Sequence, residues 1–561
     1  MLPISGDSDN KPKSEHKVHN KRLLSRQWLP VWGAVLIVVG MILEWWLLMP
    51  EPLSPGRKKL DEIFELIADK YVDPVDLDSI IELAIPGLLT NLDPHSVYIS
   101  ADNREEVDGE LEGSFSGIGI EFRIENDKIV VAETISGGPG EKVGLLAGDR
   151  IIEIDGENVA GIEIDEEGVR TRLRGEKGSS VSLKVERDGV DNPLSFEIVR
   201  GDVPMTSIDA AYVIDDNIGY LKINRFSRNT YSEFLQSMAQ LMTDGAQDFI
   251  IDLRGNVGGY MEPALLMANE FLSRGMNIVS TRGRNPAFDE TVTSDGNGGL
   301  KGSRVVVVVD ELTASASEIF SGAMQDNDRG LVVGRRTFGK GLVQQPIELE
   351  DGSEIRLTIQ RYYTPSGRSI QKTYKRGQNT EYEEEIFERY RSGEMMSLDS
   401  AKINFDLMFN SIGGRQLYGG GGIIPDIFVP NDTVGTNSYY VDVARRGLIR
   451  KFANEYVSLN RPQLMKATDV NELIKLLPSN DILLWSFADY AKMNGVAPRW
   501  FYINNSAKLI VTQIKALIAY DILGRGAYYK IYNSIDTNVR EAVDALKAGK
   551  ADFPITVNST E

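Results

Sequence analysis

Along the chain the spacing of apolar positions changes character four times. Trp28 to Met49 (WLPVWGAVLIVVGMILEWWLLM) is a 22-residue apolar run with one charge, Glu44. From Lys58 to about Leu92, apolar residues recur at helical spacing (Leu60, Ile63, Phe64, Ile67, then Ile80, Ile81, Leu88), which predicts a small helical module over residues 58–104. Between about Glu105 and Arg200 the period shortens to the alternation of strands, in GIGIEFRI, KIVVAETI, DRIIEIDGENV, SVSLKVERDG and LSFEIVR. Glycine and aspartate turns separate these runs, and one helical turn is expected near EKVGLLAGD. From Ile218 the order is strand, helix, strand: IGYLKINRF, a helix from Thr230 to Asp244, DFIIDLRG, a helix over EPALLMANEFLS, then NIVSTRGR, RVVVVVDE, a helix from Ser317, GLVVGRRT and EIRLTIQRYY. Such alternation argues for an α/β core over residues 201–430. Beyond Pro430 the pattern is helical to the end, which reads as an all-α extension, residues 431–561.

At about 1.5 Å per residue, the first apolar run matches a hydrocarbon core of roughly 30 Å. Trp28, Trp32, Trp45 and Trp46 fall where interfacial aromatic belts are expected, and Glu44 lies near one end. Residues 1–27 carry six bases (Lys11, Lys13, Lys17, Lys21, Arg22, Arg26) against three acids, so the charge bias keeps this tail cytoplasmic and puts the body outside. The expectation is a single-pass anchor over 28–49 in an inner membrane, with the body on the periplasmic side. A cleaved signal peptide is the rival, but no small-x-small site follows Leu48, where the chain reads MPEPLSPG.

Composition then removes whole chemistries. Of 561 residues none is cysteine, and the three histidines are His16, His19 and His95. Cysteine nucleophiles, disulfides and Cys-ligated metals are excluded, and a Ser-His-Asp triad would depend on His95. The formal net charge of −21, with no basic stripe in the body, argues against nucleic acid as a partner.

Two readings compete for GRRTFGKG (Gly334 to Gly341). It nearly fits a phosphate-binding GxxxxGK[ST] loop, but Gly341 stands where that loop needs a hydroxyl for magnesium. The other reading pairs Lys340 with LTASASEIFSGAM, which places Ser315 at a helix N-terminus. Free N–H groups there, Ala316 among them, suit an oxyanion. With histidine scarce, the base for a serine is a lysine whose pKa burial has lowered. In an extended segment Gln344 shares a side with Lys340 and can orient its amine. The glycines of DLRGNVGG, Gly258 or Gly259, could supply the second oxyanion donor. On spacing alone, Ser315 as a plain helix cap and Lys340 as a surface lysine remain equally open.

At these residues the chain resembles the carboxyl-terminal processing peptidases, or tail-specific proteases, which are Ser-Lys endopeptidases carrying a PDZ domain. GSFSGIGIEF, GGPGEKVGLLAGDRIIEIDGENV and LRGEKGSSVSLKVER carry the resemblance in the PDZ region (105–200). DLRGNVGG, TASASEIFSGAMQD, TFGKGLVQ, YYTPSGRSIQ and IIPDI carry it in the core. The resemblance implies a ClpP/crotonase-like core, Ser315 as nucleophile, Lys340 as base 25 residues on, and Gln344 as its support. It also implies capture of apolar substrate C-termini by strand addition, with the carboxylate on a glycine-rich loop, here Ser116, Gly117, Ile118, Gly119 and Ile120. His95, in LDPHSVYI, matches a structural helix-end motif. No cofactor or metal is called for. The competing class is an inactive membrane-tethered PDZ scaffold. The extension 431–561 is expected to pack on the core, to form homo-oligomers or to bind a regulator, and the charged stretch YKRGQNTEYEEEIFERYRSGE is expected to be a solvated helix.

Overall fold

Five consecutive valines, Val305–Val309, leave a strand no polar face, and all five are buried. Such a strand is stable only inside a parallel sheet covered on both sides. In the structure, a computed structural model that describes residues 29–48, 54–135 and 137–553, it lies in a six-stranded sheet. The order is Ile208–Asp215, Ile218–Ile223, Asp248–Asp252, Val305–Val309, Leu331–Gly334, Ile427–Phe428, with an antiparallel first pair and parallel pairing thereafter.

The period of two sorts the side chains. Leu221, Phe249, Ile251, Val305 and Val307 pack on one face against the helices Thr230–Thr243, Met261–Phe271 and Ala316–Asp326. Tyr220, Ile250, Val306 and Val308 face the other way, onto Val539, Ala542 and Leu546 of the helix Thr537–Lys547. The sequence expectation ends the core at residue 430, yet this last helix supplies its third layer. A sheet hydrophobic on both faces requires that cover, wherever in the chain it comes from.

A second, antiparallel sheet stands beside the core: Val97–Ile99, Glu354–Tyr363, Asn277–Gly283 and Glu290–Thr293, with Leu342–Glu348 also on Glu354–Tyr363. Residues 118–199 form a third body, in which five strands run in the order Ile120–Glu125, Lys128–Thr134, Arg150–Ile154, Ser180–Glu186, Leu194–Val199 around their own apolar cluster, with the helices Pro139–Val143 and Glu166–Leu173. Its two ends leave side by side as a ribbon, Ser114–Gly117 paired with Gly201–Pro204. From Ser438 the chain is helical, and its helices bury a separate cluster that includes Phe452, Phe487, Ile503, Ile510 and Ile514.

The charged stretch near residue 380 is corrected by the structure. It does form a helix, Asn379–Arg391, but Tyr382 and Arg389 are buried. Arg389 donates to the Thr337 carbonyl oxygen at 3.1 Å and pairs with Glu394 at 2.9 Å, so this helix braces the loop that leads to Lys340.

The described residues up to Ile81 and those from Glu82 onward form two compact units. In the first, the expected membrane run is helical over Leu29–Leu48, and a second helix, Pro55–Lys70, is capped by Ser54, which accepts from the Arg57 N–H. The tail 1–27 lies outside the described residues, as do Trp28, Met49 and several side chains of the first helix. Among the described residues no helix is long and apolar enough to cross a membrane.

Candidate active site

Asp310, directly after the valine strand, collects the N–H groups of Gly255 (3.0 Å), Leu312 (3.1 Å) and Thr313 (3.1 Å) on one carboxylate oxygen. It thereby ties the turn before Ser315 to the glycine loop of the neighbouring strand. Ser315 follows at φ 55°, ψ −118°, a left-handed conformation that costs a non-glycine residue of order 1–3 kcal/mol. Ala316 opens the helix behind it, and its N–H has no acceptor among the described residues.

Ser315, Ala316, Lys340, Gln344, Gly258 and Gly259 line one cavity of about 750 Å³. The six come from three separate segments of the core: the glycine loop after Asp248–Asp252, the start of the helix Ala316–Asp326, and the stretch that enters Leu342–Glu348. Neither glycine tolerates a side chain: a Cβ on Gly258 would fall 2.7 Å from Ser315 Cβ, and one on Gly259 only 2.0 Å from the Phe226 oxygen. Of the proposed oxyanion donors, Gly258 is corrected by its bonding, because its N–H already donates to Asn256 Oδ1 at 2.9 Å. Gly259 and Ala316 keep N–H groups without acceptors among the described residues.

Lys340 Nζ donates to Gln344 Oε1 at 2.9 Å, and Gln344 Nε2 donates to the His95 carbonyl oxygen. No hydrogen bond joins Lys340 Nζ to Ser315 Oγ among the described residues. Burial lowers the Lys340 pKa below the ordinary lysine value, Arg356 pushes the same way, and the Glu318 carboxylate works against both. The loop from Gly334 to Gly341 runs from strand to strand, into Leu342–Glu348, so the helix that a phosphate-binding loop requires is missing.

Glu318 was not singled out from the sequence, yet its buried carboxylate holds the site together. It accepts the N–H of Ser315 (2.9 Å), of Gly339 (2.8 Å) and of Lys340 (2.8 Å), and the Thr337 hydroxyl. Burial pushes its pKa up to about 7 against the pull of these donors. The Tyr362 hydroxyl makes a matching tie on the carbonyl side, at 3.0 Å from the Ser315 oxygen and in contact with the Lys340 oxygen. The readable signal was the S-x-x-E spacing of a capping box, Ser315 to Glu318.

His95 contributes as a support. Asp93 Oδ1 accepts the His95 and Ser96 N–H groups at 2.8 Å each, which fixes the carbonyl that holds Gln344. Its ring nitrogen Nε2 lies 2.7 Å from the Tyr382 hydroxyl, and burial together with Lys340 drives its pKa down to about 3. So weak a base cannot take a serine proton near neutral pH.

In the β-rich body, a groove of about 250 Å³ runs between the strand Ile120–Glu125 and the helix Glu166–Leu173, closed at one end by Gly117, Ile118 and Gly119. The Gly119 carbonyl accepts from Ile135 (2.9 Å) and that of Ile118 from Gly140 (2.6 Å), while the N–H groups of Ile118 and Gly119 have no acceptor among the described residues. Ser116 is not part of the groove: it sits in the ribbon, and its hydroxyl donates to the Gly175 oxygen at 2.7 Å.

Ser315 and the half-buried Lys340 thus share a cavity with two N–H groups that have no acceptor among the described residues, and in the β-rich body a strand edge ends on a glycine loop. Residues 217–378 match Peptidase family S41, 116–198 the PDZ domain, 51–103 the Activating protease CtpB N-terminal domain, and 439–524 a family of unknown function. The chain is 37% identical over 319 residues to the carboxy-terminal-processing protease of Bartonella bacilliformis, covering 56% of this chain and 72% of that protein. It is 36% identical over 320 residues to the carboxy-terminal processing protease CtpB of Bacillus subtilis (56% and 65%), and 34% identical over 323 residues to CtpA of the same organism (57% and 68%). The chain belongs to the carboxyl-terminal processing peptidase family and is a serine endopeptidase.

Proposed function

We propose that the enzyme captures substrate C-terminal tails in its PDZ groove and cleaves them with a Ser315–Lys340 dyad through an acyl-enzyme. The observation that carries this reading is the shared cavity, in which the half-buried Lys340 lies with Ser315 and with the N–H groups of Gly259 and Ala316, which have no acceptor among the described residues. Neutral Lys340, oriented by Gln344, turns its lone pair to Ser315 Oγ and removes the proton as oxygen attacks the scissile carbonyl. Gly259 and Ala316 stabilise the oxyanion. Lys340 returns the proton to the leaving amine, and water, activated the same way, releases the acyl group. In the groove the tail adds as a strand to the edge Ile120–Glu125, its carboxylate on the N–H groups of Ile118 and Gly119. Family membership argues against the scaffold alternative.

The decisive assay uses an unstructured protein with an apolar tail. Ser315→Ala and Lys340→Ala should each abolish cleavage while the protein stays folded; cleavage at the native rate by either variant would end the dyad reading.

The residues 28–49 are proposed as a single-pass anchor that leaves the catalytic body on the periplasmic side. The 22-residue run with one charge, and the basic excess before it, support this. Deleting residues 1–49 should move the protein from the membrane fraction to the soluble fraction; unchanged fractionation would refute the anchor.

A further inference from the structure

The PDZ body has its chain ends in one ribbon, Ser114–Gly117 with Gly201–Pro204. A body tethered at one place is free to pivot, and motion between domains is the default where contacts are few. The helical extension provides a second attachment. Gly524, at φ 83°, breaks the long helix Trp500–Leu523 from Arg525–Tyr532 and brings Tyr520 and Arg525 onto the same carboxylate, Glu121 of the groove strand. The Tyr520 hydroxyl donates to Glu121 Oε2 at 2.7 Å, and Arg525 Nη2 to Oε1 at 2.7 Å. The other arm of the same guanidinium, Nη1, donates to Asp209 Oδ1 at 3.2 Å, on the first strand of the core sheet.

Asp209 is itself well fixed. Only a tenth of its side chain is exposed, and it also accepts Asn224 Nδ2 at 2.6 Å and the Tyr529 hydroxyl at 3.3 Å. Asn224 lines the active cavity, and Glu121 lines the groove. One planar, permanently charged fork therefore joins a groove residue to a side chain braced against the cavity wall, a task that suits arginine and not lysine.

We infer that Arg525 is a positioning residue: through it the C-terminal extension holds the PDZ groove at a fixed place relative to the active cavity, so that a captured tail leads its substrate to Ser315. This assigns a role to the extension and rests on the tail-capture reading above. The extension acts on tail-bearing substrates alone, since a peptide too short to reach the groove needs no such alignment.

The test uses the full-length chain with two substrates, an unstructured protein with a free apolar tail and a short peptide amidated at its C-terminus. Arg525→Ala and Asp209→Asn should each raise KM for the tail-bearing substrate by about fivefold or more, the scale of an ordinary coupling between sites. The double variant should be no worse than the stronger single one, and Arg525→Lys should fall between. The short peptide should keep its kcat and KM in all of them, and Trp485→Ala, elsewhere on the extension, should behave as wild type. Equal losses on both substrates, additive effects of Arg525→Ala and Asp209→Asn, or an unchanged KM in folded Arg525→Ala would each overturn the inference. Failure of the tail-capture reading looks different: wild type itself would then prefer neither substrate.

Discussion

Under the proposed mechanism the active cavity and the PDZ groove solve the same problem, holding negative charge on bare backbone N–H groups, with very different amounts of support. At the groove, Ile118 and Gly119 are kept in place by two backbone bonds to their carbonyls, from Gly140 and Ile135. At the cavity, Gly259 and Ala316 sit in a frame built from Asp310, Asn256, Glu318 and Tyr362. Arg254, at the start of the same glycine loop, is pinned by Asp252 and by Asp536 of the extension at 2.8 Å. A carboxylate is a stable species and forgives small displacements of its donors. An oxyanion exists only near the transition state, where misplaced donors lose their effect.

Substitutions should therefore separate the two sites. The largest effect is expected from Lys340→Ala, which should lower kcat by about 10⁴-fold or more while leaving the affinity of a tail peptide for the groove unchanged, as read by fluorescence titration. A parallel loss of tail affinity would show the sites to be one cooperative unit. Next comes Gly259→Ala, whose Cβ would fall 2.0 Å from the Phe226 oxygen. Displacing that donor should cost about 10²–10³-fold in kcat, together with a lower Tm.

Glu318→Gln keeps the shape but turns an amide toward groups that all donate. Losing a charged acceptor for buried N–H groups is worth about 1.5–3 kcal/mol, so kcat should fall roughly 10- to 100-fold, with KM for the tail nearly unchanged. At the groove, Gly119→Ala forces a side chain into φ 72°, with Cβ 3.2 Å from Gly138 Cα. The left-handed conformation costs about 1–2 kcal/mol, so KM for a tail-bearing substrate should rise about tenfold, with kcat on a short amidated peptide intact.

The smallest perturbation is pH. Because the pKa of Lys340 lies below the ordinary 10.5, kcat/KM should rise with pH and level off below that value, whereas tail affinity stays flat. The linkage has a definite sign. Between the lowered folded value and 10.5 the folded state sheds a proton that the unfolded state retains. The penalty for burying the charged amine is thus present below that window and is relieved as pH rises through it. A rate profile flat across this window would remove Lys340 as the base.

Much of the core was legible because its signals are local. The valine run, the helix from Thr230 and the strands around DLRG form as the alternation of apolar positions requires, since side-chain period depends on backbone geometry alone. Lys340 and Gln344 were legible as a pair for the same reason, four residues apart in an extended segment. Other expectations did not hold. Ser116 was drawn into the groove by its place in the motif, but the strand turns its hydroxyl to Gly175. The helix Asn379–Arg391 looked solvated because nine of its thirteen residues are polar or charged, while Tyr382 and Arg389 are precisely the ones it buries. Glu318 drew no reading from the sequence at all, because its role depends on Gly339 and Lys340 reaching it across the fold.

By itself, then, the sequence determined the chemistry available: no thiol, no usable histidine in the body except His95, and a serine and a lysine at helix and strand starts. It also determined the periods that make strands and helices. Tertiary structure alone decided which groups meet. That Gly258 spends its N–H on Asn256, that Thr537–Lys547 roofs the core sheet, and that Arg525 reaches both Glu121 and Asp209 are facts about residues up to hundreds of positions apart. The physical reason is that hydrogen bonds and burial depend on distance in space, and a one-dimensional pattern fixes only the faces that will be buried, not the partners that bury them.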